Sequence, residues 1–237
     1  MTALLLRLAA PLQSWGTRSR FTRRATDRTP SKSAVIGLLA AAEGIRRTES
    51  IEHLLDLTFA VRTEQPGQVE RDFQTAARPG ERTPVSVSTR HYLSDAVFLA
   101  SVEGHTGLLE GLLEAVRRPH FPLFLGRRSC PPVGPVAVGL RDATALGALG
   151  VEPWRASLAV QRAHRDAQVE LPVAADCTAD TADAELVRDQ PVAHGFDPAH
   201  RQWEWRSVQR SYVTVTNPAF RGITAPPADT HDPMDVL

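Results

Sequence analysis

The chain has 237 residues, 42% hydrophobic and 23% charged, and its formal net charge is zero. That composition fits one generous globular domain, or a domain with a smaller appendage. It contains no apolar run of the ~18–20 residues that cross a bilayer, and two cysteines, Cys130 and Cys177, are too few for a disulfide framework.

Residues 1–10 have no basic leader and no small-residue cleavage site, so they are read as structure rather than as a signal peptide. The expectation is a cytoplasmic protein with no membrane attachment. Residues 4–9 form an apolar run broken only by Arg7, which predicts a buried strand. Pro11 ends it, and a polar, Arg-rich loop continues to Thr29. Pro30-Ser31-Lys32-Ser33, then residues 34–43 with Gly44 behind them, carry helix punctuation: proline and hydroxyl residues at the entry, glycine at the exit. This helix is apolar on nearly every side and is expected to be buried. Gly37 inside it costs about 1 kcal/mol against alanine unless a neighbour packs close.

Residues 58–63 predict a second strand and 95–102 a third. Between them, 71–90 are rich in Arg, Thr, Pro and Gly, too long for a hairpin turn, and read as an inserted excursion. Residues 106–118 predict a second helix, with Leu108, Leu109, Leu112, Leu113 and Val116 on one stripe, stopped by Pro119. Residues 121–125 then predict a fourth strand. Strand, helix, strand, strand, helix, strand is the split βαβ order of a ferredoxin-like or RRM-like domain, an α+β fold over residues 1–126. Residues 127–221 read as a smaller β-rich part with strands at 133–140, 203–205 and 212–216. The Ala- and Asp-rich stretch 142–200 gives no clear assignment, and 222–237 read as a loose tail.

The neutral total conceals a sign separation. Residues 1–47 hold nine basic side chains against two acidic ones, and 166–190 hold seven acidic against one basic. A face for a polyanion, and a second region that is solvated or meets a basic partner, are implied.

Three motifs carry candidate chemistry. Ser31, Lys32 and Ser33 sit where a helix N-terminus offers free N–H groups, which predicts a phosphate clamp or an ordinary cap. Gly126-Arg127-Arg128-Ser129-Cys130-Pro131-Pro132 combines close backbone approach with paired guanidinium groups suited to phosphate oxygens. Gln13-Ser14-Trp15-Gly16 supplies a tryptophan that stacks on a base or fills the core. Cys130 has no fixed histidine partner and reads as a small packed residue. The eight histidines form no metal-ligand pair, so no metal, cofactor or catalytic residue is expected. His91-Tyr92 beside Arg90 could pose as an acid/base pair, but neighbours on a strand point to opposite faces.

Taken in order, Leu6-Arg7-Leu8-Ala9-Ala10-Pro11-Leu12-Gln13-Ser14-Trp15-Gly16, Pro30-Ser31-Lys32-Ser33-Ala34-Val35-Ile36-Gly37-Leu38-Leu39, Tyr92-Leu93-Ser94-Asp95-Ala96 and Leu125-Gly126-Arg127-Arg128-Ser129-Cys130-Pro131 resemble the CasD (Cas-five) family of type I-E CRISPR Cascade. Arg210 to Val215 resembles the family's closing strand, and Arg71-Asp72-Phe73-Gln74-Thr75 stands where the family has Arg-Asp-Tyr-His-Thr. The resemblance implies a RAMP-type palm with a thumb at about 71–90. It implies a non-catalytic, RNA-binding role in antiviral defence, gripping the 5′ handle of CRISPR RNA (crRNA) and capping the backbone filament. The implied partners are the handle, the Cascade backbone subunit and the large subunit. The RNA-contacting set expected on this basis is Gln13, Trp15, Arg18, Arg20, Ser31, Lys32, Ser33, Arg71, Arg90, Tyr92, Gly126, Arg127, Arg128 and Ser129. A metal-independent endoribonuclease acting on guide precursors and an assembly scaffold with incidental RNA contact are the alternatives.

Overall fold

The computed structural model describes residues 1–17, 23–75, 80 and 87–221. The expected tail at 222–237 and the tip of the excursion lie outside these residues.

Among the described residues, eleven strands and four α-helices follow in the order β1 (Thr2–Ala9), β2 (Leu12–Gln13), β3 (Arg23–Arg24), α1 (Lys32–Glu43), β4 (Thr58–Gln65), β5 (Gln68–Gln74), β6 (Ser88–Ser94), β7 (Val97–Gly104), α2 (Thr106–Arg117), β8 (Ala137–Arg141), α3 (Ala145–Val151), α4 (Leu158–Ala163), β9 (Gln168–Asp176), β10 (Glu185–Pro191) and β11 (Trp203–Thr216). A seven-stranded sheet runs β10-β11-β9-β4-β7-β1-β8, and its pairings are antiparallel. Within it, β1 and β4 flank β7, while β7 and β8 flank β1, so each β-α-β pass encloses a strand of the other.

Alternation places side chains on two faces. Leu4, Leu6 and Leu8 of β1 join Phe59, Val61, Phe98 and Ala100 beneath α1 and α2. Ala3, Leu5, Ala60 and Leu99 face Ala145, Ala148 and Leu149 of α3. The central strands are therefore buried on both sides, which is why residues 4–9 read as continuous apolar sequence. Ser31 caps α1 by accepting from the Ala34 N–H, and Gly44 ends it in the left-handed conformation. The cost of Gly37 has its compensation: a Cβ there would lie 3.3 Å from the Phe196 ring, which packs against the helix.

The fourth strand is not at 121–125. That segment has no regular structure, because His120 and Phe121 donate their N–H groups to Ala42 and Ala41 at the end of α1, and Pro119 and Pro122 cannot donate at all. The partner on the outer edge of β1 is β8, drawn from the stretch expected at 133–140. A palm ending at residue 126 would lack this strand. The third strand begins at Val97 rather than Asp95, which turns with a positive φ of 55° between β6 and β7.

The excursion at 71–90 begins as an antiparallel hairpin, β5 with β6, whose arms extend past those limits to Gln68 and Ser94. In this second sheet β6 is central: β5 lies on one side, and β2 and β3 on the other. The unassigned stretch 142–200 holds α3, α4, β9 and β10. In β9, Val169, Leu171, Val173 and Ala175 are buried at a strict period of two.

Candidate nucleic-acid interface

The predicted phosphate clamp at the start of α1 is already occupied by the protein. The Lys32 N–H donates to the Asp189 carboxylate at 2.8 Å, and the Lys32 ammonium pairs with Asp176 at 2.8 Å. Arg206 from β11 bridges both carboxylates, 2.5 Å from Asp176 and 2.6 Å from Asp189. Carboxylates on this positive helix end do what a phosphate would have done. Ser31 and Ser33 bond to each other beside the cap. Asp176 and Asp189 of the acidic stretch thus meet basic partners inside the same chain, and Lys32, expected among the RNA contacts, is already engaged in this network.

Gln13 and Trp15 are buried in the same way. The Gln13 amide donates to the Ala96 carbonyl at 2.5 Å and accepts from the Trp15 indole at 3.0 Å, while the Trp15 ring packs edge-on against Phe98. With 1% of its surface exposed, Trp15 is core and offers no face to a base. Gly126 is needed for backbone reasons: its φ is 86°, and a Cβ would stand 1.6 Å from the Ser14 carbonyl oxygen. The close approach expected of this glycine is to the chain itself.

The remaining candidates converge around β6. The Arg127 guanidinium lies 4.5 Å from the centre of the Tyr92 ring and donates to the Arg24 carbonyl at 3.0 Å. Its Nη1 is buried with no hydrogen-bond partner, as are Arg90 Nε and His91 Nδ1. Buried donors are almost always satisfied, so the two unsatisfied guanidinium nitrogens, Arg127 Nη1 and Arg90 Nε, single out this face of β6, while His91 projects from the opposite face. Arg128 is exposed and close enough to Arg47 and Arg201 that, after partial burial, their charges push the Arg47 guanidinium below its usual pKa. An anion placed there would relieve that repulsion. Ser129 is exposed, and Cys130 is buried with its thiol pushed up by burial, which disfavours the thiolate. Arg71 is exposed on β5 and stacks on Phe73. Arg18 and Arg20 lie outside the described residues.

Lys32 and Arg128 therefore lie apart. Arg128 joins Arg47 beyond the C-terminal end of α1, while Lys32 is at the other end of a helix ~18 Å long. Reading the sequence missed Arg206, Arg47 and Arg201. The β9 alternation was the one available pointer toward the carboxylate network, since Asp176 ends that strand.

Fold and site together define a sheet-rich α+β protein that presents, at the foot of a hairpin, guanidinium groups with no carboxylate partner among the described residues. The family model described as CRISPR-associated protein (Cas_Cas5) matches residues 3–209, and the chain belongs to this family. The Escherichia coli (strain K12) protein "CRISPR system Cascade subunit CasD" is 36% identical over 161 residues, covering 60% of this chain and 72% of that one. A solved structure titled "CRISPR RNA-guided surveillance complex" contains a chain that matches with a TM-score of 0.76 and 29% identity, over 96% of this chain and 95% of its own. A "Crystal structure of Cas protein" matches with a TM-score of 0.69 and 34% identity, over 95% of this chain and all of that one. Among the described residues no helix is long and apolar enough to cross a membrane.

Proposed function

We propose that this chain is a non-catalytic, RNA-binding subunit of a type I-E CRISPR surveillance complex, Cascade, and that it grips the 5′ handle of the crRNA. Backbone and large subunits of that complex are its protein partners, and the cytoplasm is its compartment. Family membership and the likeness to a chain of a surveillance complex support the setting. The order β8-β1-β7-β4 supports a ferredoxin-like, RAMP-type palm, with β5–β6 as the base of its thumb and β9–β11 as a C-terminal extension.

One observation carries the RNA reading: Arg127, over the Tyr92 ring and bonded to the Arg24 carbonyl, keeps a buried Nη1 that no protein group satisfies. A guanidinium fixed in this way loses little further entropy when it forks onto a phosphate. Arg128, with Arg47 and Arg201, provides a second cationic contact. Arg24 and Arg90 flank the first. Bases of a splayed single strand are then free to be read by stacking and by backbone groups.

The test is binding of CRISPR repeat RNA by the purified chain across a series of salt concentrations, with and without EDTA. Intact RNA is expected. Arg127→Ala with Arg128→Ala should flatten the salt dependence by about 0.7 for each phosphate that the pair neutralises. An unchanged slope would remove both arginines from the site. A defined cut that survives EDTA would transfer the assignment to the endoribonuclease reading. Assembly that accepts a handle of any sequence would transfer it to the scaffold.

A further inference from the structure

The register of the hairpin sheet sorts its side chains onto two faces. Arg71 opposes His91, and Phe73 opposes Thr89, which also opposes Arg23 on the far side of β6. Directly paired residues share a face, so Arg23, Arg71, Phe73, Thr89 and His91 lie together. Glu70 and Asp72, the carboxylates of β5, fall on the opposite face with Arg24, Arg90 and Tyr92. The face that carries Arg71 is thus cationic with no carboxylate from these strands.

That face also has shape. Arg23, Arg71, Val87, Thr89 and His91 line a pocket of about 310 Å³. Ligand pockets span roughly 300–1,000 Å³, so this one is sized for one small polar molecule. Beside it Phe73 is 58% exposed, with the Arg71 guanidinium 4.9 Å from its ring centre. An exposed phenyl ring backed by a guanidinium is a stacking platform for a planar base. His91, which lines the pocket, adds a polar ring on the same face.

We propose that this pocket takes one unstacked nucleotide of single-stranded RNA. The base lies on Phe73, its phosphate sits between Arg23 and Arg71, and Thr89 with His91 bonds the sugar or base edge. This is a second nucleotide site, on the opposite face of β6 from the Arg127–Tyr92 contact. It rests on the reading that the chain binds RNA.

The experiment uses the full chain and a short oligouridylate carrying one 4-thiouridine, with affinity measured across salt and photocrosslinks mapped by mass spectrometry. Because Phe73 is exposed, Phe73→Ala leaves the fold intact, which circular dichroism checks directly. It should weaken binding about 5-fold or more with the salt slope unchanged, as expected when one base stack is removed. Arg23→Gln with Arg71→Gln should flatten the slope by about 0.7, the value for the one phosphate they share. Crosslinks should fall on β5 and β6, and duplex RNA should compete poorly. Full affinity in Phe73→Ala with crosslinks only around Arg127 overturns the pocket and leaves the RNA reading standing. Duplex competing as well as single strand overturns the pocket too. Failure of wild-type chain to bind the oligonucleotide at all overturns both.

Discussion

Replacing Lys32 with methionine separates a structural lysine from a phosphate ligand. Its side chain is 7% exposed and its ammonium lies 2.8 Å from Asp176. Breaking a buried ion pair from one side costs about 3–5 kcal/mol when the partner is stranded. Here Asp176 is not stranded: it keeps Arg206 at 2.5 Å and the Phe59 N–H at 2.8 Å. Methionine also fills most of the volume of the lysine stem. The loss is then closer to one charge-assisted hydrogen bond, about 1.5–3 kcal/mol. For a chain of this size each kcal/mol lowers Tm by roughly 2–4 °C, so a fall of about 3–12 °C is expected by calorimetry. The salt dependence of RNA binding should not change, because Lys32 already has its anion. An unaltered Tm, together with a salt slope reduced by about 0.7, would refute the assignment and return Lys32 to the RNA.

Gly126→Ala combines a left-handed φ with a clash against the Ser14 backbone, and should destabilise by about 2–4 kcal/mol in chemical denaturation. A loss under about 0.5 kcal/mol, typical of surface changes, would show that the loop relaxes freely. Glu152 supplies a pH dependence. Burial alone would raise its carboxyl, but hydrogen bonds and charge from Arg155 and Arg141 outweigh burial and hold it below its usual value. Its contribution is complete above the unfolded carboxylate value of about 4.3 and disappears as pH falls through the lower folded value. The Tm gap between wild type and Glu152→Gln should therefore be widest near neutrality and close in acid. A gap independent of pH would contradict this.

The parts of the fold legible in the sequence were those whose local and global demands agree. Ser31, Gly44 and the apolar run between them define α1 without tertiary help, and the leucine stripe does the same for α2. Residues 121–125 misled because an apolar run between prolines satisfies a strand pattern locally, while its N–H groups are committed to the end of another helix. The site was legible as residue types but not as partners. Lys32 and Ser31 look the same in sequence whether the anion at the helix end is a phosphate or Asp189, which lies 157 residues away. Arg127 was recognisable from its glycine and its neighbour. Its platform, Tyr92, and the Arg47–Arg201 cluster depend on long-range packing that no motif encodes.

The ion network has a consequence for how the chain is made. Lys32 emerges early from the ribosome, but Asp176, Asp189 and Arg206 are translated much later, and β1 and β4 wait for β8 and β9 to cover their outer edges. A nascent chain that has reached residue 126 has two uncovered apolar strands and a buried-type lysine without an anion, a combination that invites aggregation. Synthesis must pass β11 before the ion network at the start of the first helix is complete, so premature termination leaves Lys32 without its carboxylates.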